Sequence, residues 1–446
     1  MARLKTFRIG GIHPEENKFS AAKPIEVFPI PEKVYVPVTQ HLGAPSSLLV
    51  KRNDTVKIGT LLAKADAFIS ANVHSPVSGT VEKIDEIIDA SGYRKANIVI
   101  KVEGNEWEDG IDNSSAIIKE CNLSAKEITD ILKEKGIVGM GGATFPSHIK
   151  YMIPEGKDVD YLIINAVECE PYLTSDHAIM LEKTEEILIG IDILKKASGA
   201  KKALVGIENN KLDAIAKMQE VAKSFKDIEI QPLRVKYPQG AEKQLIRALT
   251  KREVPSGKLP IEVGCVVNNV GTALASYEAV QKNKPLIERV VTVTGKAVKN
   301  PSNLLVRIGT PVKELIDHVG GLPEDTGKVI SGGPMMGKAI SNLDVPVTKG
   351  TSGVLMMTKA ESKRKKPLNC IRCAKCVSVC PMGLEPYLLQ QLVDSERWED
   401  AELNRIMDCI ECGSCQFICP SKRELLDYIR VGKARVGAII RSRAKR

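Results

Sequence analysis

Eight of the eleven cysteines fall in two copies of one spacing, Cys370-x2-Cys373-x2-Cys376-x3-Cys380-Pro381 and Cys409-x2-Cys412-x2-Cys415-x3-Cys419-Pro420. Three thiolates on one tight turn cap three corners of a 4Fe-4S cube, and the fourth, followed by proline, reaches the other cube. The spacing therefore predicts crossed ligation. One cluster takes Cys370, Cys373, Cys376 and Cys419, and the other takes Cys409, Cys412, Cys415 and Cys380. Zinc tetrahedra do not use the third x2 spacing, and disulfide frameworks belong to small secreted chains. Cys121, Cys169 and Cys265 stand alone in apolar surroundings, as small buried hydrophobes do.

A chain of 446 residues has room for about three or four domains, each with its own core. The net charge of +9 is unevenly spread. Lys363-Arg364-Lys365-Lys366 precedes the first cysteine run, and Arg430 to Arg446 holds seven Lys or Arg and no acid. Such an end is expected as a solvated tail; with Val436, Ala438, Ile439 and Ile440 interleaved, it also suits an anionic membrane surface or an acidic partner. No stretch approaches the ~20 apolar residues of a membrane span, and Met1 to Gly10 lacks the apolar run of a signal peptide. A cytoplasmic location, with thiols kept reduced, is expected. A basic tail without interleaved aromatics does not suggest nucleic-acid binding.

The pattern predicts a multidomain α+β chain. Residues 1–110 comprise an N-terminal segment and short strands broken by Gly and Pro turns. There, Val50 to Leu62 followed by Ser75-Pro76-Val77-Ser78-Gly79 resembles the biotinyl/lipoyl barrel-sandwich hybrid. Phe68 occupies the hairpin-tip position of the modifiable lysine, so an unmodified scaffold is expected. Residues 116–285 alternate helices with apolar strands (Tyr161 to Asn165, Ala203 to Gly206, Ile228 to Ile230, Val263 to Asn268), the pattern of an open α/β domain; a further strand runs from Arg289 to Thr294. Ser124 and Glu127 form a capping box ahead of Ile128. Residues 286–350 read as a β-grasp module, 351–367 as a basic linker, 368–428 as a helical two-cluster domain, and 429–446 as the basic tail.

Single-electron clusters need a two-electron supplier, and the α/β domain offers Gly139-Met140-Gly141-Gly142-Ala143-Thr144-Phe145-Pro146. Glycines let main-chain N–H groups approach a phosphate or flavin ring unobstructed. This loop, with Lys150, resembles that of the flavin- and NADH-binding subunit of respiratory complex I. So do Asn165-Ala166-Val167-Glu168-Cys169-Glu170-Pro171 after a strand and Asn268-Asn269-Val270-Gly271-Thr272. The resemblance implies FMN held by Gly139, Gly141, Gly142, Ala143, Lys150, Asn268, Asn269 and Thr272. It also implies Asn165, Glu168 and Glu170 lining flavin and nicotinamide, with the glutamates positioning rather than transferring protons, and Phe145 stacking on the NADH adenine. Gly240 and Glu242 match a Gly-Glu-Glu element whose other acid is Ala241 here; Met140 replaces an arginine and Val167 an aspartate.

These departures suit a closer resemblance. Gly10-Gly11-Ile12-His13-Pro14-Glu15-Glu16-Asn17-Lys18, the barrel, the flavin loop, a soluble-ligand-binding β-grasp (SLBB) module from Val291 to Gly337 and the cysteine octet are together similar to the C-subunit family of the Rnf electron-transport complex. That resemblance implies a peripheral NAD(H)-linked arm with FMN and two 4Fe-4S clusters, on the cytoplasmic side of the membrane. Its implied partners are membrane-embedded and ferredoxin-like subunits and, indirectly, ferredoxin. Alternatives are a related cobalamin reductase, the electron-feeding subunit of an amino-acid reductase, and a docking scaffold without turnover.

Overall fold

In the computed structural model, residues 4–444 are described; Met1–Arg3 of the N-terminal segment and Lys445–Arg446 of the basic end lie outside them. The barrel forms as expected from two small antiparallel sheets. One contains Lys33–Pro37, Arg94–Val102, Gly79–Ile88 and Thr55–Val56 in that order, and the other Ser47–Leu48, Leu61–Lys64 and Val73–His74. Alternating side chains of these strands, Val34, Val36, Leu62, Val81, Ile98 and Ile100, fill a core closed to water. Phe68 stands exposed between Leu61–Lys64 and Val73–His74.

The α/β domain is built on a four-stranded parallel sheet ordered Ile228–Leu233, Lys202–Glu208, Tyr161–Asn165, Cys265–Asn269. Lys202–Glu208, Tyr161–Asn165 and Cys265–Asn269 carry runs of consecutive apolar residues because helices cover both faces, whereas the edge strand Ile228–Leu233 alternates with Glu229 and Gln231. The chain leaves Tyr161–Asn165 toward one side and later returns to pair on the other, so the order reverses between Tyr161–Asn165 and Cys265–Asn269. A ligand crevice belongs at such a switch point. Register places Asn165 opposite Asn269 at its mouth. The expected capping box forms, with Ser124 Oγ accepting from Glu127 N and Glu127 Oε2 from Ser124 N at 2.7 Å.

Three boundaries differ from the sequence reading. The N-terminal segment leaves the barrel: Lys5 bridges to Leu233, and Ile25–Val27 joins the β-grasp sheet beside Ser302–Arg307. That module does not stop at 350. Gly353–Thr358 lies inside its six-stranded sheet between Glu288–Thr294 and Thr326–Ser331, and Lys359–Ser362 adds a capped helical turn. The strand expected from Arg289 to Thr294 belongs to this sheet.

The basic end is also corrected. Leu425–Ala444 is one 20-residue helix that runs through the expected boundary at 429. Leu425, Ile429, Gly432 and Val436 recur at helical spacing and are buried against Pro386–Asp394 and its neighbours. Arg443 pairs with Glu402 at 2.8 Å, and Lys433 with Glu411 at 2.8 Å. The cluster domain is helical throughout, as predicted.

Candidate flavin and iron-sulfur sites

The glycine loop is seated at the switch point. Val138 bridges to Pro146 and Gly139 N donates to Phe145 O at 2.8 Å, closing the loop; Met140 N donates to Thr272 Oγ1 at 2.9 Å, fastening it to the first turn of helix Val270–Lys282. Asn269 caps that helix, its Oδ1 accepting from Gly271 N at 2.8 Å. Gly141, Gly142 and Ala143 are exposed. A Cβ on Gly141 would lie 3.2 Å from Asn269 Cβ, whereas one on Gly142 (φ +128°) would meet open space. The loop is thus packed on one side and free on the other, the shape of a cradle for a flat or phosphorylated ligand.

Polar groups converge below it. Asn269 Nδ2 donates to Asp176 Oδ2 at 2.7 Å. Asn268 is buried; its Nδ2 donates to Tyr151 Oη at 2.6 Å while its Oδ1 is buried without a protein partner. Lys150 Nζ donates to Val267 O at 2.6 Å, and burial pulls its ammonium below the usual lysine range, opposed by Glu242 at the start of helix Glu242–Thr250. An open glycine cradle, an orphaned buried acceptor and a desolvated ammonium at one sheet end fit a flavin phosphate and ring edge. Phe145 is half-buried beside them.

The two glutamates of the turn after Tyr161–Asn165 go elsewhere. The Glu168 carboxylate accepts from Asp176 N at 2.8 Å and His177 N at 3.2 Å, closing the N-terminus of helix Ser175–Glu182. Burial, and then that charge, push Asp176 above the ordinary carboxylate range. Glu170 reaches the β-grasp module, accepting from Met335 N at 3.1 Å and Met336 N at 2.8 Å, with its pKa pushed up to about 7 by burial. Asn165 Nδ2 donates to Gly240 O at 2.7 Å, and Gly240 N to Cys169 Sγ at 3.3 Å, so Gly240 is drawn to the same turn.

Cys380, Cys409, Cys412 and Cys415 line one chamber, walled by Leu384, Leu389, Leu426 and Ile429. The thiols surround this space rather than converging on a point; among the described residues no three His, Cys, Asp or Glu side chains are grouped to share a single ion. Burial pushes the Cys409 thiol up to about 11, so a cluster entering here displaces protons as it binds. Cys376 packs against a group formed by Cys415, Cys419 and Leu425, while Cys370 and Cys373 are exposed on the loop before helix Lys375–Ser378. Soft thiolates in two sets of four are the donors an iron-sulfur cube takes.

The chamber abuts the flavin turn. Tyr237 Oη donates to Cys412 O at 2.9 Å, Gln244 Nε2 to Pro381 O at 3.2 Å, and Ile12, Tyr237 and Cys412 form a small apolar cluster against Cys169 and Met335. Sequence reasoning did not single out Tyr237, Lys18 or Glu208 at this junction. Two of them carry buried charge, a signal visible only after folding.

Glu208 is buried, with Oε1 accepting from Lys236 N at 3.1 Å, and burial raises its pKa to about 7. Between the ordinary carboxylate value and about 7, the folded chain holds a proton that the unfolded chain has released, so stability falls as pH rises through this window. Replacing Glu208 by Gln should flatten that dependence in thermal unfolding between about pH 5 and 8. Parallel curves for the two proteins would show that Glu208 is not the titrating group.

A flavin cradle at a sheet switch point, joined to a two-cluster helical domain, defines an electron-transfer protein of the flavin and iron-sulfur class. Family comparisons agree along the chain: RnfC barrel sandwich hybrid domain at 5–105, Nuo51 FMN-binding domain at 132–278, SLBB domain at 290–339 and 4Fe-4S dicluster domain at 362–433. The chain is 50% identical to the C-subunit of the proton-translocating ferredoxin:NAD(+) oxidoreductase complex of Clostridium ljungdahlii, covering 97% of this chain and 94% of that one. It is 45% identical to the C-subunit of the Na(+)-translocating ferredoxin:NAD(+) oxidoreductase complex of Acetobacterium woodii, covering 97% of each. A chain of an NAD+-reducing [NiFe]-hydrogenase in the H2-reduced state shares the fold, with TM-score 0.52, 20% identity and coverage of 70% of this chain and 62% of that one. The chain belongs to the C-subunit family of ion-translocating ferredoxin:NAD(+) oxidoreductase (Rnf) complexes. It thus carries an FMN-binding domain and a 4Fe-4S dicluster domain within a multi-subunit oxidoreductase.

Proposed function

We propose that this chain is the NAD(H)-linked arm of such a complex, passing electrons between nicotinamide, FMN and two 4Fe-4S clusters toward partner subunits. FMN, when bound, supplies the exchange of a hydride pair for single electrons. The supporting observation is the direct packing of the Cys380, Cys409, Cys412 and Cys415 chamber on the flavin turn through Tyr237 and Cys169. Gly139, Gly141, Gly142, Ala143 and Lys150 would hold the flavin, with Asn268, Asn269 and Thr272 fixing their loop and helix. Asn165 and Gly240 would shape the turn facing the ring, with Phe145 and Glu242 on the nicotinamide side. Glu168 and Glu170 serve by holding that turn to helix Ser175–Glu182 and to the β-grasp module. Their carboxylates position main chain and move no proton. The crossed ligand sets make the chamber cluster proximal to flavin and the Cys370, Cys373, Cys376 and Cys419 cluster distal.

The distal set defines the exit. Exposed Cys370 and Cys373 are flanked in sequence by exposed Lys365, Lys366 and Arg372, with Leu368 62% and Ile371 66% exposed. Exposed apolar residues interspersed with cations along this segment suit an acidic redox subunit or domain, ferredoxin-like or membrane-embedded, which would bring the chain to the cytoplasmic face of the membrane as a peripheral subunit. Among the described residues no helix is long and apolar enough to cross a membrane. Double replacement of Lys365 and Arg372 by Glu should weaken assembly with the remaining subunits, and wild-type assembly should loosen as salt rises. Salt-independent assembly would place the interface elsewhere.

Anaerobic mixing with NADH tests the whole reading. Flavin absorbance should fall first and cluster absorbance after it. Flavin left oxidised by NADH would favour a docking scaffold without turnover.

A further inference from the structure

The Gly-Gly-Ile-His-Pro segment has no role in the flavin or cluster chemistry above, yet it touches both sites. Gly11 N donates to Val379 O at 2.8 Å, next to the chamber ligand Cys380. Ile12 and Tyr237 exchange two main-chain hydrogen bonds, at 2.8 and 2.9 Å, and Tyr237 in turn holds Cys412 O. Six residues on, Lys18 Nζ donates to three carbonyls of the flavin turn, Glu168 O at 2.9 Å, Glu170 O at 2.8 Å and Leu173 O at 2.7 Å. Glu16 O accepts from Tyr172 N at 2.8 Å.

The residues gripped are themselves strained. Glu168 (φ +47°) and Tyr172 (φ +72°) both occupy the left-handed region without being glycine, a conformation that persists only where surroundings over-determine it. The three-carbonyl grip of Lys18 and the Glu16 hydrogen bond supply that determination. At the other end the fit is close. A Cβ on Gly10 (φ +69°) would stand 2.5 Å from the carbonyl carbon and oxygen of Cys380, main-chain atoms that cannot rotate away.

We propose that Gly10–Lys18 is a spacer strap, fixing the separation of the flavin turn from the proximal cluster's ligand turn and thereby the rate of electron passage between them. This rests on the proposed function above, and its residues are positioning residues. Gly10→Ala and Gly10→Val push the strap off Cys380 while leaving every cysteine and the glycine loop in place.

The first test needs no cofactor turnover. Hydrogen-deuterium exchange on purified Gly10→Ala should show lost protection at Gly11, Ile12 and Tyr237 and in 168–173, with 202–208 and 265–269 unchanged. Protection equal to wild type at Tyr237 and in 168–173 would overturn the strap. In the second test, Gly10→Val with wild-type iron and flavin content is mixed with NADH: flavin reduction should proceed at the wild-type rate and cluster reduction slow about tenfold, equivalent to ~1.4 kcal/mol of barrier. Cluster reduction at the wild-type rate would overturn the proposal. If Gly10→Val loses its clusters, Gly10→Ala takes its place in this test. Wild-type flavin inert to NADH would instead refute the proposed function, and the exchange result would still decide the strap.

Discussion

A Cys412→Ala variant should keep its flavin, lose about half its iron and stop electrons at the flavin. Cys412 lies in the chamber with Cys380, Cys409 and Cys415, and its main-chain oxygen accepts the Tyr237 hydroxyl that ties the chamber to the flavin domain. Alanine removes the thiolate but leaves that carbonyl, so the docking survives while one cube loses a ligand. NADH should still bleach the flavin, and reduction of acceptors that take electrons from the distal cluster should cease. The companion Cys376→Ala should also lose about half its iron, yet still pass electrons from flavin to the remaining cluster. Electron paramagnetic resonance of the NADH-reduced proteins separates the two cases. A reduced-cluster signal in Cys412→Ala and none in Cys376→Ala would mean that the order of the clusters is wrong.

The second large effect is expected at Gly141. The Cβ of valine would sit 3.2 Å from Asn269 Cβ, and its branches would press on the residue that caps helix Val270–Lys282. Overpacking of this kind costs ~1–3 kcal/mol, a factor of about 5 to 150 in affinity, and any outward relief carries the side chain into the open face of the cradle. Gly141→Val should therefore purify with intact clusters and little FMN, and flavin fluorescence after acid release measures this directly. Full flavin content would remove the loop from the site.

Where information was local, the sequence carried it. Cysteine spacing is fixed by the size of a cube, and the proline-terminated fourth position points to crossed sharing; Cys380 lines one chamber with Cys409, Cys412 and Cys415. The glycine run and the paired asparagines at strand ends could be placed at a sheet mouth before the register of Asn165 with Asn269 was known. What stayed hidden depends on partners far along the chain. Glu170 meets Met335 and Met336 across 165 residues or more, and nothing near Glu170 distinguishes a ligand-facing glutamate from one that clasps a neighbouring module. Lys18 closes the Gly10–Lys18 motif in the sequence, but its three carbonyl partners, Glu168, Glu170 and Leu173, lie 150 or more residues away. The basic end hid its helix differently: charge dominated the composition, while Leu425, Ile429, Gly432 and Val436 kept the periodic face that buries it.

Counting iron, acid-labile sulfide and flavin in the anaerobically purified full-length chain, then adding NADH, tests the central claim most directly. The account predicts about eight iron and eight sulfide for two cubes, one FMN, and loss of flavin and cluster absorbance on addition of NADH. Colourless protein, or protein holding zinc at its cysteines and no flavin, would contradict it.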